Sequence, residues 1–195
     1  MKTIVYFHGY GSSCQSNSAT CLAKNLPEYN VIAPDIPVDP VEALPYLKEL
    51  CEQEQPDLII GTSMGGMYAQ QMRSFRRILV NPAFTMSTMS KTFRTGEYHF
   101  FSGRYDGAKT FKITKDIIQH HNQMERQQFK NISSEEKETC WCLVGLRDTS
   151  VTNAESLFKK NYLADHVIRF DGEHQLNDKV IKKVLIPLVE QLRNA

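Results

Sequence analysis

The sequence predicts an α/β fold, a doubly wound, mainly parallel sheet of about six strands with helices on both faces. Three observations carry that prediction. Short β-branched or apolar runs alternate with longer stretches of helical period along the chain. The connections between those runs are too long for tight hairpins, so neighbouring strands should be parallel and joined by right-handed crossovers. Loops bearing glycine and reactive side chains follow several of the runs, at the carboxyl ends of strands where an open α/β sheet keeps its chemistry.

The expected strands are 3–7, 29–33, 58–60, 77–80, 139–144 and 166–170, and the expected helices are 40–53, 64–73, 152–162 and 175–193. In the first helix Val41, Leu44, Leu47 and Leu50 recur at spacings of three, which predicts one apolar stripe against the sheet. Between 84 and 137 the pattern loosens. No internal repeat or low-complexity segment interrupts the chain. With 195 residues, one domain over 1–195 accounts for the length, and such a domain can bury roughly 70% of its unfolded surface.

Charge and cysteine usage narrow the function. Lys and Arg number 23 against 22 Asp and Glu, a formal charge of +1, so there is no basic footprint for nucleic acid. No apolar run reaches the roughly 20 residues that spanning a bilayer needs, and the amino-terminal stretch does not read as a secretory signal. Cys14, Cys21, Cys51, Cys140 and Cys142 are odd in number and lack metal-ligand spacing, which predicts reduced thiols in a cytoplasmic protein. Cys140 and Cys142 flank Trp141 and should share one buried face of a strand rather than form a redox pair. A small molecule is therefore the expected partner, and the oligomeric state is not legible.

The most informative loop is Gly61-Thr62-Ser63-Met64-Gly65-Gly66, a strand, a sharp turn and a helix in succession. A nucleophile thrust off a sheet needs that order, and side chains two positions either side would strike the neighbouring strand and helix unless they are glycine. The helix beginning after Ser63 aims N–H groups and its positive dipole end at the place where an oxyanion would form, with Met64 N–H as the expected donor. By composition alone such a pentapeptide arises about one time in fifteen, and Ser63 could simply cap the helix. The other loops decide between the readings. Gly145-Leu146-Arg147-Asp148-Thr149-Ser150 puts an acid just past a strand, although alone Asp148 also reads as a turn aspartate. Asp171-Gly172-Glu173-His174-Gln175 puts a histidine past the last strand. The chain order nucleophile, acid, histidine is the one this architecture imposes.

These motifs resemble the α/β-hydrolase superfamily, and the short chain with its early His8-Gly9 is similar to the small YqiA/YcfP-like esterases. The resemblance spans nearly the whole chain and implies the α/β-hydrolase fold, shortened at the N-terminus by its opening hairpin. It implies that His8-Gly9-Tyr10-Gly11-Ser12-Ser13 is the loop whose Tyr10 supplies the second oxyanion N–H, with His8 as a structural brace. Asp35, in Val31-Ile32-Ala33-Pro34-Asp35-Ile36-Pro37, is expected to brace a loop first and meet substrate second. Catalysis then falls to Ser63, Asp148 and His174, acting on a small carboxylic ester or thioester with no cofactor. Acyl transfer through the same triad, or a non-catalytic binding protein, are the alternatives.

The resemblance also implies that about 84–137 is a small helical cap-like insertion, and substrate choice should lie there, where Phe84, Phe93, Tyr98, Phe100, Phe101, Tyr105, Phe111, Met86 and Met89 could wall a pocket or pack the cap onto the body. His120-His121 is expected to point two ways along a helix rather than bind metal. The run 131–137 reads as a solvated connector.

Overall fold

The structure is a computed structural model describing residues 1–88 and 93–194. Its centre is a six-stranded parallel sheet of order β2-β1-β3-β4-β7-β8, built from β1 (Lys2–Phe7), β2 (Tyr29–Ile32), β3 (Leu58–Thr62), β4 (Arg77–Val80), β7 (Cys140–Gly145) and β8 (Val167–Phe170). All six expected strands are present. The period of two sorts their side chains between two cores. Val5, Phe7, Ile59, Leu79, Cys140 and Cys142 face one layer, and Ile4, Tyr6, Ile60, Ile78, Val80 and Leu143 face the other. Both cysteines of the Cys-Trp-Cys run are thus fully buried on one face, and all five thiols are free.

The first layer is covered by α2 (Pro40–Glu54), α3 (Met64–Ala69) and α6 (Ala154–Asn161), the second by α1 (Asn17–Asn25) and a carboxyl-terminal helical segment. Helix α1 escaped the sequence reading because its inward face amounts to Ala19 and Leu22 on a Ser16 N-cap. In α2 the buried positions are Pro40, Ala43, Leu47 and Cys51, so the stripe is rotated from the one expected and Val41 faces solvent. A 3.6-residue helix drifts off a strict spacing of three, and alternating steps of three and four keep one face inward.

Helix α3 ends at Ala69 rather than continuing to 73, and tight turns follow through Gln71 N–H to Tyr68 O and Met72 N–H to Ala69 O. His166 lies in a short 3-10 turn before β8, stacked on Trp141 at 4.5 Å, instead of opening the strand. The expected final helix starts later and is interrupted: α7 (Asp178–Val180) passes through a π-turn (Ile181–Leu185) into α8 (Ile186–Asn194). The π-turn precedes Pro187, whose missing N–H and ring forbid the regular bond four residues back.

The insertion between β4 and β7 is not purely helical. It carries a two-stranded antiparallel ribbon, β5 (Gly96–His99) with β6 (Thr110–Ile113), then α4 (Lys115–Gln127) and α5 (Ser134–Glu138). Each ribbon strand is four residues long, too short a run to read from the sequence; β5 is mostly exposed, while β6 alternates, with Phe111 and Ile113 buried. Aromatic packing supports the ribbon, Phe111 lying 5.6 Å from Tyr98 and 4.6 Å from Phe100. Within the run read as a connector, Ser133 and Glu136 form a reciprocal capping box that starts α5. Phe84, Met86, Phe93 and Phe111 are buried, Phe101 and Tyr105 are exposed, and Met89 lies outside the described residues.

Candidate active site

Ser63 sits between β3 and α3 at φ 54° and ψ −120°, a conformation costly for a non-glycine residue. Backbone bonds hold it there. Its N–H donates to Val80 O at 3.0 Å, and its carbonyl accepts from Gly66 N–H at 3.0 Å and Ala83 N–H at 2.9 Å. The flanking glycines are steric necessities: a Cβ on Gly61 would lie 2.3 Å from Gly65 O, and one on Gly65 would lie 2.1 Å from Phe7 O. The Ser63 side chain makes no capping bond to α3, which removes the helix-cap reading and leaves Oγ uncommitted.

The loop after β1 presses against this serine. A Cβ on Gly9 would stand 3.3 Å from Ser63 Cβ and 3.8 Å from its Oγ, so a glycine is what lets the chain pass so close. His8 braces the turn as expected: Nδ1–H donates to Gly9 O at 2.9 Å and Nε2 accepts Ile36 N–H at 3.1 Å. Those roles require a neutral ring, and burial pulls its pKa down to about 4. The Tyr10 ring turns away from Ser63 into the aromatic cluster of the insertion, edge-on to Phe93 at 5.5 Å and Phe111 at 5.4 Å. The hydrogen bonds of the described residues leave Tyr10 N–H and Met64 N–H without a protein acceptor.

Asp148 makes the turn contacts and also reaches His174. Oδ1 accepts Ser150 N–H at 2.7 Å and Val151 N–H at 3.1 Å, an Asx turn that fixes the carboxylate, while Oδ2 stands 2.7 Å from His174 Nδ1. A carboxylate only accepts, so the imidazole proton is on Nδ1 and Nε2 keeps its lone pair. The Asp148 side chain is 2% exposed and that of His174 26%, an acid shielded behind a base that reaches solvent. Ser63 Oγ makes no hydrogen bond to His174 in this structure, where the His174 ring bonds Asp148 and its carbonyl accepts from Asn81.

Further residues support the site, and of these Asn81 carried no sequence signal. Asp35 accepts Cys14 N–H at 2.9 Å and Tyr105 N–H at 2.7 Å, with Arg104 at 3.9 Å. Burial pushes its pKa up, but these bonds outweigh it and hold the carboxyl below its ordinary value. It is the loop brace expected, but it also binds the insertion. Asn81, which follows β4, is buried and hydrogen-bonded on both sides. His120 binds Asp39 at 2.9 Å, whereas His121 is buried beside Phe93 at 4.7 Å, so the two histidines do point apart.

A strained serine between two glycines, an open α/β sheet and a histidine–aspartate pair at its carboxyl end define the α/β-hydrolase class of fold. Within that class the chain belongs to the uncharacterised protein family UPF0227, whose model matches residues 3–189. Solved structures agree on the architecture. Est1E from Butyrivibrio proteoclasticus with ferulic acid bound is 12% identical with a TM-score of 0.70, covering 100% of this chain and 90% of its own. Mouse alpha/beta hydrolase domain-containing protein 10 is 16% identical with a TM-score of 0.68, covering 98% and 89%. A soluble variant of monoglyceride lipase from Saccharomyces cerevisiae is 13% identical with a TM-score of 0.63, covering 98% and 85%. Among the described residues, no helix is long and apolar enough to cross a membrane.

Proposed function

We propose that this protein is a serine hydrolase that cleaves a small carboxylic ester or thioester through Ser63, His174 and Asp148. The observation that carries the reading is the 2.7 Å Asp148–His174 bond at the same sheet end as a strained Ser63 with an uncommitted hydroxyl. Esterases and lipases among the structural neighbours support the substrate class. Five unpaired cysteines support a cytoplasmic setting.

The chemistry follows from the atoms. His174 Nε2 takes the Ser63 proton as Oγ attacks the carbonyl carbon, and the oxyanion is held by Tyr10 N–H and Met64 N–H. Collapse expels the alcohol or thiol, which takes that proton from His174 and leaves an acyl-serine. Water, deprotonated by His174, then attacks the acyl carbon, and collapse returns a proton to Ser63 Oγ with release of the carboxylic acid. Asp148 steadies the imidazolium in both halves.

The test is intact-mass analysis after treatment with a fluorophosphonate, alongside turnover of a short-chain ester. The wild type should gain one adduct and turn over ester, and Ser63→Ala and His174→Ala should do neither. Labelling of Ser63→Ala at the wild-type rate would place the reactive residue elsewhere.

A further inference from the structure

Nucleophile and base stand on loops from strands that are not neighbours, because β4 lies between β3 and β7 and β8 is one strand further out. Whatever fixes their separation must cross the end of β4. The residue there is Asn81, at φ 45°, a left-handed conformation that asparagine tolerates better than most non-glycine residues.

Asn81 is 1% exposed, and its bonds reach β7 and the loop that follows β8. Its N–H donates to Leu143 O at 2.9 Å, extending the β4–β7 ladder by one step. Its Oδ1 accepts Gly145 N–H at 2.7 Å, and its Nδ2 donates to Glu173 O and His174 O, both at 3.0 Å. Only one orientation of the amide fits, since an N–H faces one side and two carbonyls the other. On the opposite flank Val80 O accepts Ser63 N–H and Ala83 N–H donates to Ser63 O. Residues 80–83 therefore hold the nucleophile's peptide with their backbone and the base's carbonyl with one side chain. Gly145 makes the approach possible, since a Cβ there would lie 2.8 Å from both Gly172 O and Glu173 O.

We propose that Asn81 is a positioning residue that sets the distance and direction of His174 relative to Ser63. This rests on the serine-hydrolase reading above. Its amide reaches no substrate; it acts through the His174 backbone. Asn81→Asp keeps the acceptor for Gly145 N–H but turns an oxygen toward two carbonyls, pushing the histidine loop away. A displacement of about 1 Å in such a pair costs on the order of 10²-fold in rate.

The experiment measures kcat and KM for a short-chain ester, the melting temperature, and the downfield proton resonance of the His174 Nδ1–H···Asp148 bond. It compares wild type, Asn81→Asp, Asn81→Gly and Tyr162→Phe. The last deletes a buried hydroxyl that bonds Gln70 at 2.8 Å, far from the site, and serves as a stability-matched control. The Asn81 variants should lose about 10²-fold in kcat with KM within threefold and an altered downfield resonance, while Tyr162→Phe loses stability but keeps kcat and the resonance. Glycine suits φ 45°, so Asn81→Gly carries the readout if Asn81→Asp does not fold. A folded Asn81 variant with wild-type kcat, or a loss matched by Tyr162→Phe, would overturn the proposal. A wild type that neither turns over ester nor takes up fluorophosphonate would remove the serine-hydrolase reading itself, an outcome distinct from an active wild type with equally active Asn81 variants.

Discussion

The two flanks of the site are held by different means. Around Ser63 and His174 the contacts are mostly backbone: Val80 O and Ala83 N–H on the serine, Leu146 N–H to Phe170 O and Arg147 N–H to Gly172 O between the acid and histidine loops, with Asn81 as the side-chain bridge. Around Tyr10 most contacts involve a side chain on one partner and the insertion on the other. Ser13 Oγ bonds Gly103 O at 2.6 Å and Ser102 Oγ at 2.7 Å, Asp35 joins Cys14 to Tyr105, and the Tyr10 ring sits among Phe93, Tyr98 and Phe111. The sheet end is thus fixed by topology, and the loop after β1, the oxyanion loop of the proposed mechanism, by an added element.

That contrast first predicts where the rate resides. Asp148→Asn preserves an oxygen for the Ser150 and Val151 N–H groups, so the Asx turn and the fold should survive. The amide can donate to the imidazole and favour the wrong tautomer, and a loss in kcat of about 10⁴-fold is expected. Steady-state kinetics with a melting curve checks both halves. A variant within tenfold of wild type would mean that Asp148 is only the turn aspartate.

The same contrast explains what the sequence made legible. Gly61, Ser63 and Gly65 announce their geometry because it is a property of one local backbone, and a strand, a turn and a helix in succession leave a pattern in adjacent residues. Asp148 and His174 were legible through their order relative to the strands. The clamp that long-range side-chain bonds form around the site was not: Ser13 meets residues 89 and 90 positions away, Asp35 meets Tyr105 across 70, and Asn81 meets His174 across 93, pairings that no local spacing encodes. The insertion's ribbon was missed for the related reason that its strands are only four residues long and are held together by Tyr98 and Phe111 stacked across the pair, a contact made 13 positions apart in the chain. Even in α2 local spacing gave the helix but not its face, which depends on how it lies on Ile59 and Tyr68 of the shared core.

The Tyr10 flank also carries two buried neutral histidines, which allows one to be titrated against the other. His8 stands in the loop after β1. His121 stands in the insertion, where burial pulls its pKa down to about 4 against a smaller upward pull from the Val38 backbone. In the unfolded chain both protonate near 6.5, so between about pH 6.5 and 4 the unfolded state binds protons that the folded state refuses. Stability is full above 6.5 and is lost as pH falls, by up to about 3 kcal/mol per histidine. Urea unfolding across that range should show roughly two protons taken up on unfolding, and His121→Leu should reduce this to about one. An unchanged pH profile in that variant would mean that His121 is not held neutral and would leave the pH response to the oxyanion loop alone.

The smallest expected effect is the one that bears most directly on whether the clamp serves the chemistry. Asp35 is the point where the oxyanion loop, the turn after β2 and the insertion meet, accepting N–H bonds from Cys14 and Tyr105 with Arg104 close by. In Asp35→Asn one of those donors faces an NH2 group, and the attraction to Arg104 is lost. Hydrogen bonds to a charged acceptor contribute about 1.5–3 kcal/mol, so a destabilisation near the lower end is expected after the loop relaxes. Losing an oxyanion donor outright costs about 10²–10³-fold, and a donor merely loosened should cost less, about tenfold in kcat with KM little changed. Kinetics and melting temperature measured together decide it. A fall in stability with kcat intact would mean that the insertion is fastened beside the oxyanion loop without setting it; a fall in both, with fluorophosphonate labelling slowed in the same proportion, would make the insertion part of the catalytic apparatus rather than a cover over it.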